Sequence, residues 1–200
     1  MTAEALDFAT VSKRVRGDLA QRHRYAHCVR VARLASRLAR IHGEDPHRAM
    51  LAGMLHDLAR LYSAEKLLAE SARCGVPVDE YASKNPIVLH APLGAALARE
   101  RFGVTDRDVL SAIAKHTLAA AEMSLLDTII FLADGLEPGR VFEARDRLVR
   151  LAERDLSAAL RGTLAAHMAH LHEQGIRPSP QTAEAADAFL ARHDLEATPG

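Results

Sequence analysis

The run Arg22-His-Arg-Tyr-Ala-His27-Cys-Val-Arg-Val31-Ala-Arg-Leu34-Ala-Ser-Arg-Leu38-Ala-Arg-Ile41-His42-Gly43 decides the fold class. Val31, Leu34, Leu38 and Ile41 recur at helical spacing and Gly43 supplies a stop, so the segment predicts one long amphipathic helix over 22–42. Outward from it the same grammar continues. Ala, Leu and Arg dominate, β-branched residues are sparse, and no run of four or more alternating apolar and polar positions lies between turn signals, so no strand is placed. Helices are predicted over 7–17, Pro46 to about Leu61, Ser63 to Cys74, Pro92 to Phe102, Thr105 or Asp106 to Thr117, and Ser124 to Leu136. Residues 141–174 read as one helix or two, 182–193 as a last helix, and 76–91, with Pro77, Asn85 and Pro86, as mostly irregular. The expected fold is all-α: one helical-bundle domain over 7–175, then 176–200 as a linker, a loosely attached C-terminal helix and a frayed tail.

Two hundred residues suit a single domain with a real core. The 26 Lys and Arg balance 26 Asp and Glu, which removes the sequence-wide positive field of a nucleic-acid binder, so no nucleic acid is expected as partner. No apolar run reaches membrane-spanning length and Met1 to Arg14 has no signal-like core, so a soluble, cytoplasmic protein without a membrane partner is expected. Cys28 and Cys74 form no CxxC pair and read as reduced thiols. Gly-rich phosphate loops, a GxSxG elbow and a dinucleotide fingerprint are absent, which argues against P-loop, serine-hydrolase and Rossmann chemistry. Eleven histidines are about twice the ordinary share, and their placement carries the functional reading.

His27 lies on the stripe of Val31, Leu34 and Leu38, and His56 lines up with Ala49, Ala52 and Gly53, small residues that let another helix come close. His116 follows Val109, Ala112 and Ile113, and Asp134 follows Ile130 and Phe131. Four ionisable groups thus point inward from apolar faces, where each would cost about 1–3 kcal/mol if left unsatisfied. Two solutions are open: each is bonded to a neighbouring backbone or side chain, or a metal such as iron, manganese or zinc satisfies all four at once. His90, just ahead of Pro92, is ambiguous between a surface loop and the same pocket.

The ordered blocks Arg24-Tyr-Ala-His27, Ala52-Gly-Met-Leu-His56-Asp57-Leu-Ala-Arg60, Leu89-His90-Ala-Pro92, Ala114-Lys115-His116-Thr117 and Phe131-Leu-Ala-Asp134-Gly-Leu-Glu137-Pro138-Gly-Arg140 carry a resemblance that spans about residues 20–175. They resemble the HD-superfamily phosphohydrolases and, more closely, the YqeK-type family of symmetrical dinucleoside-tetraphosphate hydrolases. The resemblance implies an HD helical bundle in which His27, His56, Asp57 and Asp134 hold one divalent ion. His90 and His116, with Asp57 bridging, would hold a second or contact phosphate. It implies iron foremost, with Asp57, His90, His116 and Arg60 as catalytic groups and Arg60, Lys115, Thr117, Glu137 and Arg140 as substrate contacts. Water activated by metal would cleave diadenosine tetraphosphate to two ADP. Partners are then a dinucleoside polyphosphate or nucleoside diphosphate, with a homodimer left open. Alternatives are an HD phosphohydrolase of another nucleotide or a cyclic dinucleotide, and a non-catalytic nucleotide-binding regulator. The chain departs from the family pattern at Ala91, Leu118-Ala119 and Thr128, where Gly, Thr-Gly and Lys are usual, and has Arg60 in place of Lys. His167, His170 and His172 read as a polar helix face, and His23, His42, His47 and His193 as solvated.

Overall fold

A computed structural model describes residues 7–19 and 21–196, with side chains described to residue 190. It is all-α, with no strand among the described residues. The helices are α1 (Phe8–Asp18), α2 (Arg22–His42), α3 (Pro46–Leu55), α4 (Ala64–Arg73), α5 (Glu80–Lys84), α6 (His90–Phe102), α7 (Arg107–Lys115), α8 (Leu125–Leu136), α9 (Arg145–Ala152), α10 (Leu156–Glu173) and α11 (Pro180–Glu196). A short 3-10 turn, Pro86–Leu89, precedes α6. No described helix is long and apolar enough to cross a membrane.

Caps explain most of these boundaries. Asp7, Asp45, Ser63, Asp79, Asp106, Ser124 and Asp155 each accept from amides of the first turn of the helix they precede. Ser124 and Asp127 complete a reciprocal capping box. Gly43 and Gly103 close α2 and α6 in the left-handed conformation. α8 is buried on nearly every side from Leu126 to Leu136, which makes it the central rod of the bundle. Against it pack α2, α3 and α7, with Leu38, Met54, Leu55, Ile113, Ile129, Ile130 and Leu132 fully enclosed.

α2 and α3 pack in close contact. A β-carbon built on Gly53 would lie 2.8 Å from the Cα of Ala32, so only glycine permits this crossing. It brings the stripe carrying His27 against the end of α3 carrying His56.

Three regions differ from expectation. α3 stops at Leu55 rather than Leu61, because residues 56–62 tighten into turns through Arg60 N–H to Asp57 O and Tyr62 N–H to Ala59 O bonds. Residues 76–91 are more ordered than their prolines suggest, because α5 and the 3-10 turn pack together and the turn packs on α4 and α6. The C-terminal helix is docked rather than loosely attached: Ala185 is buried, Thr182 Oγ1 donates to Leu118 O at 3.1 Å, and Gln181 Nε2 donates to Ala119 O. Those two bonds brace Ala119, which holds a left-handed φ of 58°, a conformation that costs an L-residue about 1–2 kcal/mol. The last helix continues to Glu196, past the expected end at 193 and into the expected frayed tail; 197–200 and the side chain of His193 lie outside the described residues.

Candidate metal centre

Three of the four inward imidazoles sit at helix ends, where last-turn carbonyls lack amide partners. His56 caps α3, His90 caps the 3-10 turn as it opens α6, and His116 caps α7. Each ring folds back on the carbonyl three residues earlier: His56 Nδ1 to Gly53 O at 2.8 Å, His90 Nδ1 to Ile87 O at 2.5 Å and His116 Nδ1 to Ile113 O at 2.7 Å. His27 lies within α2, and its Nδ1 meets Glu137 Oε1 at 3.0 Å. Carbonyl and carboxylate oxygens only accept, so Nδ1 donates in all four rings and a neutral ring presents Nε2 as a bare lone pair.

Those four lone pairs converge. His27 Nε2 lies 3.2 Å from His56 Nε2, 3.0 Å from Asp134 Oδ1 and 3.6 Å from Asp57 Oδ2. His90 Nε2 lies 3.2 Å from His116 Nε2, and the two are 3.5 and 3.9 Å from Asp57 Oδ1. Asp57 therefore turns one oxygen to each histidine pair and joins two ligand sets, His27-His56-Asp134 and Asp57-His90-His116. His90, ambiguous in sequence, belongs to the pocket because the 3-10 turn aims it there.

The donor set fits a divalent cation. Lone pairs and carboxylates at these spacings are acceptors facing acceptors, which burial makes costly unless a positive centre lies among them. Ligands at about 2.1 Å from a shared ion lie about 3.0–3.5 Å apart in octahedral or tetrahedral geometry, close to the 3.0–3.9 Å found between these nitrogens and oxygens. Imidazole with carboxylate suits iron, manganese or zinc.

Nearby cations and donors tune the cluster. Arg24 Nη1 donates to Asp57 Oδ2 at 2.8 Å, and Arg140 donates to Asp134 through Nη2 to Oδ1 at 2.6 Å and Nε to O at 3.0 Å. Burial opposes ionisation of Asp57 and Asp134, but the surrounding histidines, together with Arg140 at Asp134, overcome it and hold both carboxyls well below the ordinary range. Burial likewise opposes a proton on His56, yet Asp57 and Asp134 outweigh it and raise its pKa to about 9. Burial and the charge of neighbouring imidazoles push His116 down to about 3, and burial lowers His90.

The cluster forms the floor of a cavity of about 450 Å³, whose walls include Arg24, Arg60, Thr117, Phe131, Arg140, Thr163 and His167. Arg60, Thr117 and Arg140, three of the residues expected to contact substrate, line this cavity, and Thr117 Oγ1 lies 3.1 Å from both His90 Nε2 and His116 Nε2. Two expected substrate contacts are elsewhere. Glu137 is buried behind His27, paired with Arg30 and accepting from Gly139 N–H at 2.5 Å, so it orients a ligand instead of facing the cavity. Lys115 turns away to Asp127 Oδ2 at 2.7 Å and Glu122 O at 2.9 Å, because the buried Asp127 carboxylate of the capping box requires a cation.

Sequence reasoning gave no role to Arg24 and Arg30, each three residues from His27 on α2. That spacing on one helix face is the signal that could have found them. It also read His42 as solvated, whereas its Nε2 binds Ala152 O at 2.7 Å.

Helices that gather imidazoles and carboxylates from separate segments around one cavity are the construction of a helical metal-dependent hydrolase. The chain belongs to the HD domain family, which matches residues 24–139, and it is a phosphohydrolase of that kind. It is 37% identical over 160 residues to the symmetrical bis(5'-nucleosyl)-tetraphosphatase of Bacillus subtilis (strain 168), covering 80% of this chain and 86% of the relative. A relative of the same description from Halalkalibacterium halodurans is 37% identical over 142 residues, covering 71% of this chain and 75% of the other. Among solved structures, the chain resembles one described as a predicted HD superfamily hydrolase involved in NAD metabolism from Clostridium acetobutylicum. That likeness has a TM-score of 0.88 at 33% identity and covers 93% of this chain and 98% of the other.

Proposed function

We propose that the protein hydrolyses diadenosine tetraphosphate symmetrically to two ADP, with divalent ions held by His27, His56, Asp57 and Asp134 and by Asp57, His90 and His116. Iron is the expected metal, and manganese or zinc the alternatives. The observation that carries this reading is the shared carboxylate of Asp57, set between two histidine pairs whose tautomers are fixed from behind. The relatives named as symmetrical tetraphosphatases support the substrate.

When bound, divalent cations supply Lewis acidity, polarising phosphoryl oxygens and acidifying water near neutral pH. The chain's own residues do the rest. Glu137 and the three backbone carbonyls keep Nε2 of each histidine aimed at the centre. Arg24, Arg60 and Arg140 outnumber Asp57 and Asp134 at the cavity, so its floor attracts a polyphosphate without any surface basicity. Arg60 and Arg140 are the phosphate clamps, since a guanidinium fork matches two phosphate oxygens. Attack of water on a central phosphorus breaks the middle P–O–P bridge. Both products are then nucleoside diphosphates.

The test is product chromatography with metal-loaded protein and diadenosine tetraphosphate. ADP alone is expected. ATP with AMP would reject symmetrical cleavage, and turnover of a cyclic dinucleotide in preference would favour a different substrate class.

A further inference from the structure

The cavity has a wall that the metal centre does not use. It comes from α10, which lies beyond the 24–139 segment matched by the HD family. Thr163 and His167 are four residues apart on α10 and share one face, and both line the cavity. His170 and His172, which the sequence groups with His167, are exposed. α10 packs beside the metal ligands here: a β-carbon built on Gly135, next to Asp134, would be in ordinary contact with Thr163 Cγ2 at 3.7 Å.

The two sides of the cavity are chemically unlike. Arg24, Arg60 and Arg140 come from α2, the turn after α3 and the segment after α8, whereas α10 contributes the uncharged residue Thr163 and the imidazole of His167. Burial and the neighbouring His170 hold His167 below its ordinary value, so it is an uncharged ring at neutral pH. Two of the lining residues carry a buried polar atom without any hydrogen-bond partner, Thr163 Oγ1 and Arg24 Nε. Unsatisfied buried groups in a native fold call for a ligand or water to complete them.

We infer that Thr163 and His167 are specificity-determining contacts for the second nucleoside diphosphate half of a two-ended substrate. This rests on the dinucleoside tetraphosphate reading. A substrate cleaved at its midpoint has two equal halves. One half lies on the cationic floor, and the other meets the neutral polar wall of α10, whose hydroxyl and ring N–H suit phosphate or ribose oxygens. A one-ended ligand such as ADP or inorganic phosphate is held by the floor alone. The wall therefore selects for length.

The experiment measures binding of three probes to Mn²⁺-loaded protein by calorimetry: a methylene-bridged, non-hydrolysable diadenosine tetraphosphate, ADP and inorganic phosphate. His167→Ala is expected to weaken the two-ended probe about tenfold and Thr163→Val about threefold, with ADP and phosphate within about twofold and metal content unchanged. His167→Gln, which restores a donor, should recover most of the loss. Unchanged affinity for the two-ended probe, or a parallel loss for all three probes, overturns the assignment. Wild-type protein that does not turn over diadenosine tetraphosphate would refute the catalytic reading alone, since the ratio of the binding constants still decides the role of the wall.

Discussion

Replacing Gly53 by alanine tests whether one helix contact sets the metal centre. The added β-carbon meets Ala32 Cα at 2.8 Å, Ala32 N at 3.0 Å and Val31 C at 3.2 Å, all backbone atoms that cannot rotate aside. Reaching ordinary contact requires α2 and α3 to part by about 0.6 Å. His27 and His56 sit across that interface with their Nε2 atoms 3.2 Å apart. Metal–ligand distances tolerate only about 0.2 Å, so even half of the displacement exceeds it. Overpacking costs about 1–3 kcal/mol, and the alanine returns about 1 kcal/mol of helix propensity, leaving a net loss of about 0–2 kcal/mol in metal-free protein. Metal affinity should fall by about 10–100-fold, as when the support behind a ligand is lost. Urea unfolding followed by circular dichroism reads the first quantity, and Mn²⁺ titration against a competing chelator reads the second. A Gly53→Ala protein that binds Mn²⁺ as tightly as wild type would refute the argument that this crossing fixes the His27–His56 distance.

Asp57→Ala should abolish hydrolysis and strip both ligand sets of their shared carboxylate while far-UV dichroism stays helical; metal analysis alongside turnover checks this, and retained activity would end the bridging role. Glu137→Gln should weaken metal binding about 10–100-fold and flatten the acid limb of stability. Burial opposes ionisation of Glu137, yet Arg30, Gly139 N–H and His27 lower its pKa from 4.5 to about 2. Its contribution is therefore full above 4.5 and lost as pH falls toward 2, which acid titration of the two proteins compares. Mn²⁺ binding at pH 7.5 should release about one proton, because His56 must give up the proton it holds up to about 9 in metal-free protein. The same raised pKa makes the His56 contribution to metal-free stability complete below 6.5 and lost as pH rises through about 9. An indicator dye in weak buffer measures the release, and none would contradict the assignment of that proton.

The helices were legible because their signals are local. Asp7, Asp45, Ser63, Asp106, Ser124, Gly43 and Gly103 act on amides and carbonyls a few residues away, so their positions in the chain mark helix ends. The inward placement of His27, His56, His116 and Asp134 was readable for the same reason, since helical period alone assigns a face. Periodicity failed at 76–91, where an irregular-looking segment is ordered by packing on α4 and α6.

Sequence by itself determined an all-helical chain with imidazoles and carboxylates turned toward its interior. Tertiary structure decided which of them meet: that Asp57 divides its oxygens between two histidine pairs, that Glu137 stands behind His27, that Lys115 is spent on Asp127, and that His167 faces the cavity. The physical reason is range. A cap or an apolar stripe is fixed by atoms within one or two turns, whereas distances between helices depend on contacts such as Gly53 against Ala32 and bonds such as Thr182 to Leu118 O. Those contacts join residues far apart in the chain, and no local pattern encodes them.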